Sequence, residues 1–491
     1  MFQKSLNLPL VLVIGGSLIL ASTVGFAIYN FNSSSSQSKI ASQVAGIPDS
    51  NSSSSQSSQS KPPKPGKLNL KMMFLGNTFW GRYIDDWAKA SPLKEKYPFS
   101  GLSTLEKYKY DAWISGLECP ITSTYRSSKL QDSDLKFSCL PDYLPEAAKW
   151  LEVFSLANNH TDNMEEVDGF AQTKKYLTEN KIGYFGHFDN SKTEELCKVI
   201  NLEIKDKSAE TNFRNNPNIG VENPQNSDSN NSNSVEKYFV PIAFCGYHNV
   251  FAIPTDSELS KISEYSKYWP TIVMPHGGAE YVSKPDQIKT KIYRQMIELG
   301  ADAVMGDHPH SVQSTEVWQD KLIVYSLGNF MFDQQNSQSL RQSLAVEAEF
   351  ELEFDNDLEK LMEVSEKCTN QNEMETQTET QTRTQIDSQN TGTSEKKSEN
   401  STQKTTNSQN PKTTNTSENC LKMAKEQNLK KPKFKIKYDA TATDSTGKLT
   451  QKAGSQVIKN VLNIANWTTT KSLLDKIYQK PNLEVKETQT T

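Results

Sequence analysis

Residues 151–160 read LEVFSLANNH, an apolar run that ends on two amides and an imidazole. Val, Phe and Leu in a run of this length, closed by polar residues, predict a buried β-strand. The strand delivers Asn158, Asn159 and His160 at its C-terminal end, the edge of an open α/β sheet where ligands bind. The same pattern recurs. LNLKMMFLG (68–76) stops before Asn77, DAWISGLE (111–118) ends on Glu118, WPTIVMPHGG (269–278) carries His276, and ADAVMGDHPH (301–310) carries His308 and His310.

Working outward, helical candidates fall between these strands. They are 141–150, 165–179 with Val167, Phe170 and Tyr176 on one face, and 285–299. Alternating strands and helices of this kind read as βα units. KYFVPIAFCGY (237–247) and KLIVYSLGNF (321–330) add strands. AVEAEFELEF (345–354) and KFKIKYDATATD (433–444) alternate with period two and are expected to pair antiparallel, with the Gln/Thr-rich segment 356–430 inserted between them without structure. The helix expected at 470–480 closes the domain, which spans 67–355 and 431–491. The Asn/Ser-rich run 205–235 is expected as a surface loop.

The chain has 491 residues, a hydrophobic fraction of 35% and a formal net charge of -5. No concentrated basic face is evident, so nucleic acid is not an expected partner. Residues 5–38 contain no charged side chain, and Pro9–Tyr29 has the roughly 20-residue apolar length that crosses a bilayer. The expectation is a transmembrane anchor over 1–31, a Ser/Gln/Pro-rich stalk over 32–66, and a body outside the cell, with Lys4 favouring a cytoplasmic N-terminus. A cleaved signal peptide ending near Ala27 is the alternative, and it too exports the body. Six cysteines in an exported chain permit disulfides; sequential pairing is attractive, and free buried thiols are the other reading.

Four of the six histidines lie in the strand-end clusters. Imidazole with carboxylate or amide oxygen suits Mn, Zn or Fe, and adjacent strands bring such ligands together from far apart in sequence. Asn77, Glu118, Asn159, His160, His276, His308 and His310 are therefore the candidate ligands of a divalent-metal centre, expected to have two positions. His160 is also a candidate acid, and Arg82 a candidate partner for an anionic substrate group, because guanidinium offers a fork of donors. Singly, each motif also reads as an ordinary turn or cap. His187 and His248 stand outside the clusters and read as loop or edge residues.

In order and spacing, GNTFWGR (76–82), Leu117-Glu118, LANNHT (156–161), HGGAEY (276–281), GADAVMGDHPH (300–310) and YSLGNFMFDQ (325–334) resemble the CapA family. The resemblance covers about 68–355. It implies an α/β fold of the metallophosphoesterase type, a four-layer αββα sandwich with metals at the strand ends. It also implies a role in the synthesis, attachment or export of poly-γ-glutamate capsule, with an anionic polymer or a polymer synthase complex as partner. The chain departs from that pattern. The family usually has Gly-Asp at Gly76-Asn77, Asn-Leu-Glu at Gly116-Leu117-Glu118, and His-Trp-Gly at His276-Gly277-Gly278. An amide at 77 keeps a carbonyl ligand but removes a negative charge, so weaker metal binding is expected. A surface hydrolase and a non-catalytic polymer-binding scaffold both follow from the same residues.

Overall fold

The run at 67–78 forms strand β1 (Lys67–Thr78), and its side chains divide between two cores. Leu70, Met72 and Phe74 enter one apolar cluster, while Met73 and Leu75 enter another. A strand buried on both faces explains why its sequence is continuously apolar rather than alternating. The computed structural model describes residues 65–205, 237–369 and 416–480.

Two mixed sheets organise these residues. In the first, β1 pairs in parallel with β2 (Ala112–Leu117), and the parallel order continues through β3 (Val153–Ser155) to β4 (Gly183–Phe185). The second holds β5 (Cys197–Glu203), β6 (Phe239–Asn249), β7 (Thr271–Gly277), β8 (Ala303–Met305), β9 (Thr315–Trp318) and β10 (Lys321–Val324), in the order β5-β6-β7-β8-β10-β9. The short β11 (Asn329–Met331) returns to the first sheet beside β1. On the other side of β1 lie β12 (Gln342–Glu353), β13 (Phe434–Asp444) and β14 (Gln451–Lys452), all antiparallel. The expected pairing of the two alternating segments holds from Gln342 opposite Asp444 to Leu352 opposite Phe434.

One apolar cluster draws on both sheets, with Phe74, Ile114 and Val346 from the first and Phe244, Met274 and Val324 from the second. The second cluster covers the opposite side of the first sheet with residues such as Ile84, Leu144 and Leu177 from helical segments. The third covers the second sheet with Leu259 and Ile262 of the helix Asp256–Ser266 and with Tyr293 and Met296 of the helix Gln287–Glu298. Both sheets thus have apolar contacts on two faces, and polar groups collect at the strand ends.

Several expectations change. The 141–150 helix is only a short turn, Pro141–Tyr143, followed by Leu144–Ala147. Within 165–179 the helix begins at Gly169. An additional helix, Ser455–Ile464, precedes the expected last one, Trp467–Tyr478. The segment 356–430 is not wholly without structure: helices run over 356–369 and Thr416–Glu426. Leu361, Val364 and Cys368 of the former, with Cys420, Leu421 and Ala424 of the latter, enter the third apolar cluster. Their helical spacing was obscured by the polar composition of the whole region. Residues 370–415 and 206–236, the expected anchor, and nearly all of the expected stalk lie outside the described residues. No helix among the described residues is long and apolar enough to cross a membrane.

The cysteines pair sequentially: Cys119 with Cys139, Cys197 with Cys245, and Cys368 with Cys420. Cys197 and Cys245 are also opposite one another in the β5–β6 ladder. Cys368–Cys420 joins the two helices that flank 370–415, with its Cα atoms 5.1 Å apart.

Candidate functional site

Strand β1 shifts register between Leu75 and Asn77, so that Gly76 is an extra residue relative to β2. Such a bulge re-aims the side chain that follows it. Only glycine fits there, because a Cβ on Gly76 would lie 1.8 Å from the carbonyl oxygen of Gly328. Asn77 consequently stands level with Gly116 of β2 on one side and Asn329 of β11 on the other. Its Nδ2 lies 3.3 Å from Nδ1 of His310 and 3.4 Å from Oδ1 of Asn329, and Asn329 Oδ1 is 2.9 Å from the same imidazole nitrogen.

Glu118 follows β2 and is fully buried. Asn158 Nδ2 donates to Glu118 Oε2 at 2.8 Å, and His310 Nε2 is 3.8 Å from Glu118 Oε1. At the end of β7, His276 has Nδ1 2.6 Å from Oδ1 of Asp307 and Nε2 2.8 Å from Oδ1 of Asn159. Nδ1 of His308 lies 3.1 Å from Nε2 of His276. His308 and His310 take left-handed backbone conformations, φ 90° and 58°, on either side of Pro309. Non-glycine residues in that region cost on the order of 1 kcal/mol or more, a cost typically met at functional sites. Tyr281 stacks over His310 with ring centroids 5.6 Å apart.

Six of the predicted residues therefore converge: Asn77, Glu118, Asn159, His276, His308 and His310. The other two turn elsewhere. The half-buried His160 has Nδ1 3.0 Å from Asn163 Oδ1 and stacks on Phe137 at 4.0 Å. Arg82 is buried, with Nε and Nη2 donating to the two carboxylate oxygens of Asp333 at 2.7 and 2.5 Å. Its donor fork is thus taken up inside the protein, which corrects the reading of Arg82 as a free substrate anchor.

Four further residues belong to the cluster. Asp307 sits within GDHPH, and its role was masked by the histidines beside it. Asn158 bridges Glu118 and His276, and Asn329 partners His310. His248, set aside as an edge residue, is opposite His276 in the β6–β7 register and is buried. Only the position of β6 beside β7 could have revealed it.

Burial dominates the electrostatics. It drives His276 well below the ordinary imidazole range, and the neighbouring His248, His310 and His160 add to this. Burial likewise lowers His308 and His310, and brings His160 down to about 4. All four rings are thus neutral at pH 7, the state that binds metals; His160 in that state accepts a proton rather than giving one. Burial also raises Glu118 well above the carboxylate range, reinforced by the charge of Asp307. Asp307 is pushed up to about 7 by burial, against the pull of Lys289 and His310.

Among the described residues no three His, Cys, Asp or Glu side chains form a ready metal cage. The donors instead bond to one another. Three atoms are exceptions: Asn77 Oδ1, Glu118 Oε1 and His248 Nε2 are buried without a hydrogen-bond partner among the described residues. Buried acceptors left unsatisfied cost about 1–3 kcal/mol each, and a cation satisfies them. With neutral imidazoles alongside, this donor set fits Mn, Zn or Fe.

Fold and cluster together define an α/β protein that presents histidine, carboxylate and amide groups at the ends of strands in two mixed sheets. Residues 71–334, more than half of the chain, match the profile of the bacterial capsule synthesis protein PGA_cap, and the chain belongs to that family. It is similar to the PGA biosynthesis protein CapA of Bacillus subtilis (strain 168), 40% identical over 85 residues, which is 17% of this chain and 22% of that protein. It is also similar to the capsule biosynthesis protein CapA of Bacillus anthracis, 44% identical over 63 residues, 13% of this chain and 15% of that protein. The aligned stretches thus span less than a quarter of these relatives' length.

Proposed function

We propose that this protein acts at the cell surface in the synthesis, attachment or export of an anionic capsular polymer of the poly-γ-glutamate type, through a metallophosphoesterase-like, metal-dependent hydrolase site. Membership of the capsule synthesis family supports the polymer. Helices outside two sheets that share a core are in keeping with a four-layer αββα sandwich. The observation that supports the hydrolase reading is the pair of buried oxygens without hydrogen-bond partners, Asn77 Oδ1 and Glu118 Oε1, on two side chains that approach His310.

In this reading Asn77, Glu118, Asn159, His276, His308 and His310 hold divalent metal at up to two positions. Metal at this place supplies Lewis-acid polarisation of a substrate oxygen. The protein supplies the rest. Asp307 fixes the ring of His276 from behind through Nδ1. The Arg82–Asp333 pair holds the surrounding segments in place. The apolar stretch Pro9–Tyr29 anchors the chain to the membrane in this account.

A second reading, a surface scaffold that binds polymer without catalysis, is favoured by one observation: both nitrogens of His276 already have protein partners. Hydrolysis assays separate the two. With Mn or Zn present, the full chain is expected to cleave a generic phosphodiester or poly-γ-glutamate, and His308→Ala is expected to abolish the cleavage. Retention of polymer with no cleavage of either substrate leaves the scaffold in front.

A further inference from the structure

We propose that Asp307 supplies the acidic oxygen that Asn77 does not, reaching the cation site through the space left by Gly116. This inference rests on the metal reading above.

Three features of the backbone lead to it. The end of β1 offers only an amide, Asn77, level with Gly116 on the neighbouring strand. Asp307 follows β8 and is tied into the sheet edge: its N–H donates to Pro275 O at 3.2 Å, and its carbonyl accepts from Gly277 N at 3.4 Å. That pairing places its side chain over β2. A Cβ built on Gly116 would lie 2.1 Å from Asp307 Oδ2 and 4.0 Å from Asn77 Oδ1. The carboxylate therefore occupies the volume that any side chain at 116 would fill, beside the unpartnered amide oxygen of Asn77.

The two carboxylate oxygens have different jobs. Oδ1 is held by Nδ1 of His276 at 2.6 Å, which fixes the group's orientation. Oδ2 is the one against Gly116, on the Asn77 side of the site. Glycine at 116 and amide at 77 then form a matched pair: one opens the space, and the other avoids placing a third carboxyl group beside Asp307 and Glu118. The site keeps an acidic oxygen and draws it from the segment after β8 instead of from β1.

A purely orienting role for Asp307 toward His276 makes a different prediction about position 77, and the test uses that difference. Chelator-stripped full-length chain is titrated calorimetrically with MnCl2 and separately with ZnCl2, with thermal melts in EDTA recorded for each variant. Asp307→Asn and Gly116→Ala should each weaken binding by about tenfold or more. Asn77→Asp added to Asp307→Asn should restore affinity to within about threefold of wild type, whereas Asn77→Asp alone should gain much less. The comparison of Asp307→Asn with the double variant stands even where Asp307→Asn lowers the melting temperature, because both carry that change. Wild-type affinity in Asp307→Asn, or a double variant that binds no better than Asp307→Asn, overturns the inference and leaves the metal reading in place. A wild type that binds neither ion overturns both.

Discussion

Arg82 and Asp333, 251 residues apart, form a buried two-pronged ion pair in which Nε and Nη2 donate to the two carboxylate oxygens at 2.7 and 2.5 Å. The pair ties the helix after β1 to the segment after β11, the two strands that carry Asn77 and Asn329. Removing one partner leaves a buried charge without compensation, which costs about 3–5 kcal/mol. Asp333→Ala is expected to lose stability of that order in chelator-containing buffer. Urea unfolding checks this, and a loss under about 1 kcal/mol would show that the guanidinium finds solvent instead.

Asp302 gives an acid-dependent prediction away from the site. It is buried, accepts from Thr271 N at 2.8 Å, and receives Lys431 at 2.7 Å and Lys321 at 2.9 Å. Burial alone would raise its pKa, but Lys431 and Lys321 outweigh burial and hold it below the ordinary value. A carboxylate depressed in the folded state contributes stability that is present above its unfolded pKa and lost as pH falls through the folded one. Asp302→Asn should therefore be less stable than wild type by on the order of 2 kcal/mol at pH 7, with the gap closing below about pH 4. A gap that does not change between pH 7 and pH 3 contradicts this ion-pair account.

The Cys368–Cys420 bridge holds the two helices on either side of residues 370–415. Replacing 371–414 with a short Gly/Ser linker should shift the melting temperature by only a few degrees, because loop-closure entropy varies slowly with length. Cys368→Ser with Cys420→Ser in the full chain should cost about 3–4 kcal/mol. Calorimetry of the three proteins decides it; a large loss on shortening would mean that the removed segment packs.

The charge-free segment 5–38 predicts that the full chain sediments with membranes and resists high-salt extraction. Protease applied to intact cells, after any wall is stripped, should remove the body. A soluble mature chain beginning near Ile28 would contradict the anchor and leave export standing.

The strand ends were readable because each strand is an apolar run that stops at a polar cluster, as LEVFSLANNH does. The β12–β13 pairing was readable because period-two alternation marks strands whatever lies between them. Asp307 was not, because its function depends on Gly116, a residue on another strand whose missing side chain makes room for it. His248 was hidden for a similar reason: only the β6–β7 register sets it beside His276. The helices at 356–369 and Thr416–Glu426 were lost to composition, since a few apolar positions at helical spacing sit at the edges of a long polar stretch. Arg82 shows the opposite error, a donor fork free in sequence and taken by Asp333 in the fold.

Metal binding tests the central claim most directly. Full-length protein stripped with chelator is titrated with Mn and Zn at neutral pH, beside His308→Ala, both shown to melt cooperatively in EDTA. The account predicts saturable binding by the wild type, weakened about tenfold or more in the variant. No binding by the wild type, or equal binding by the two proteins, would contradict a metal site at these strand ends.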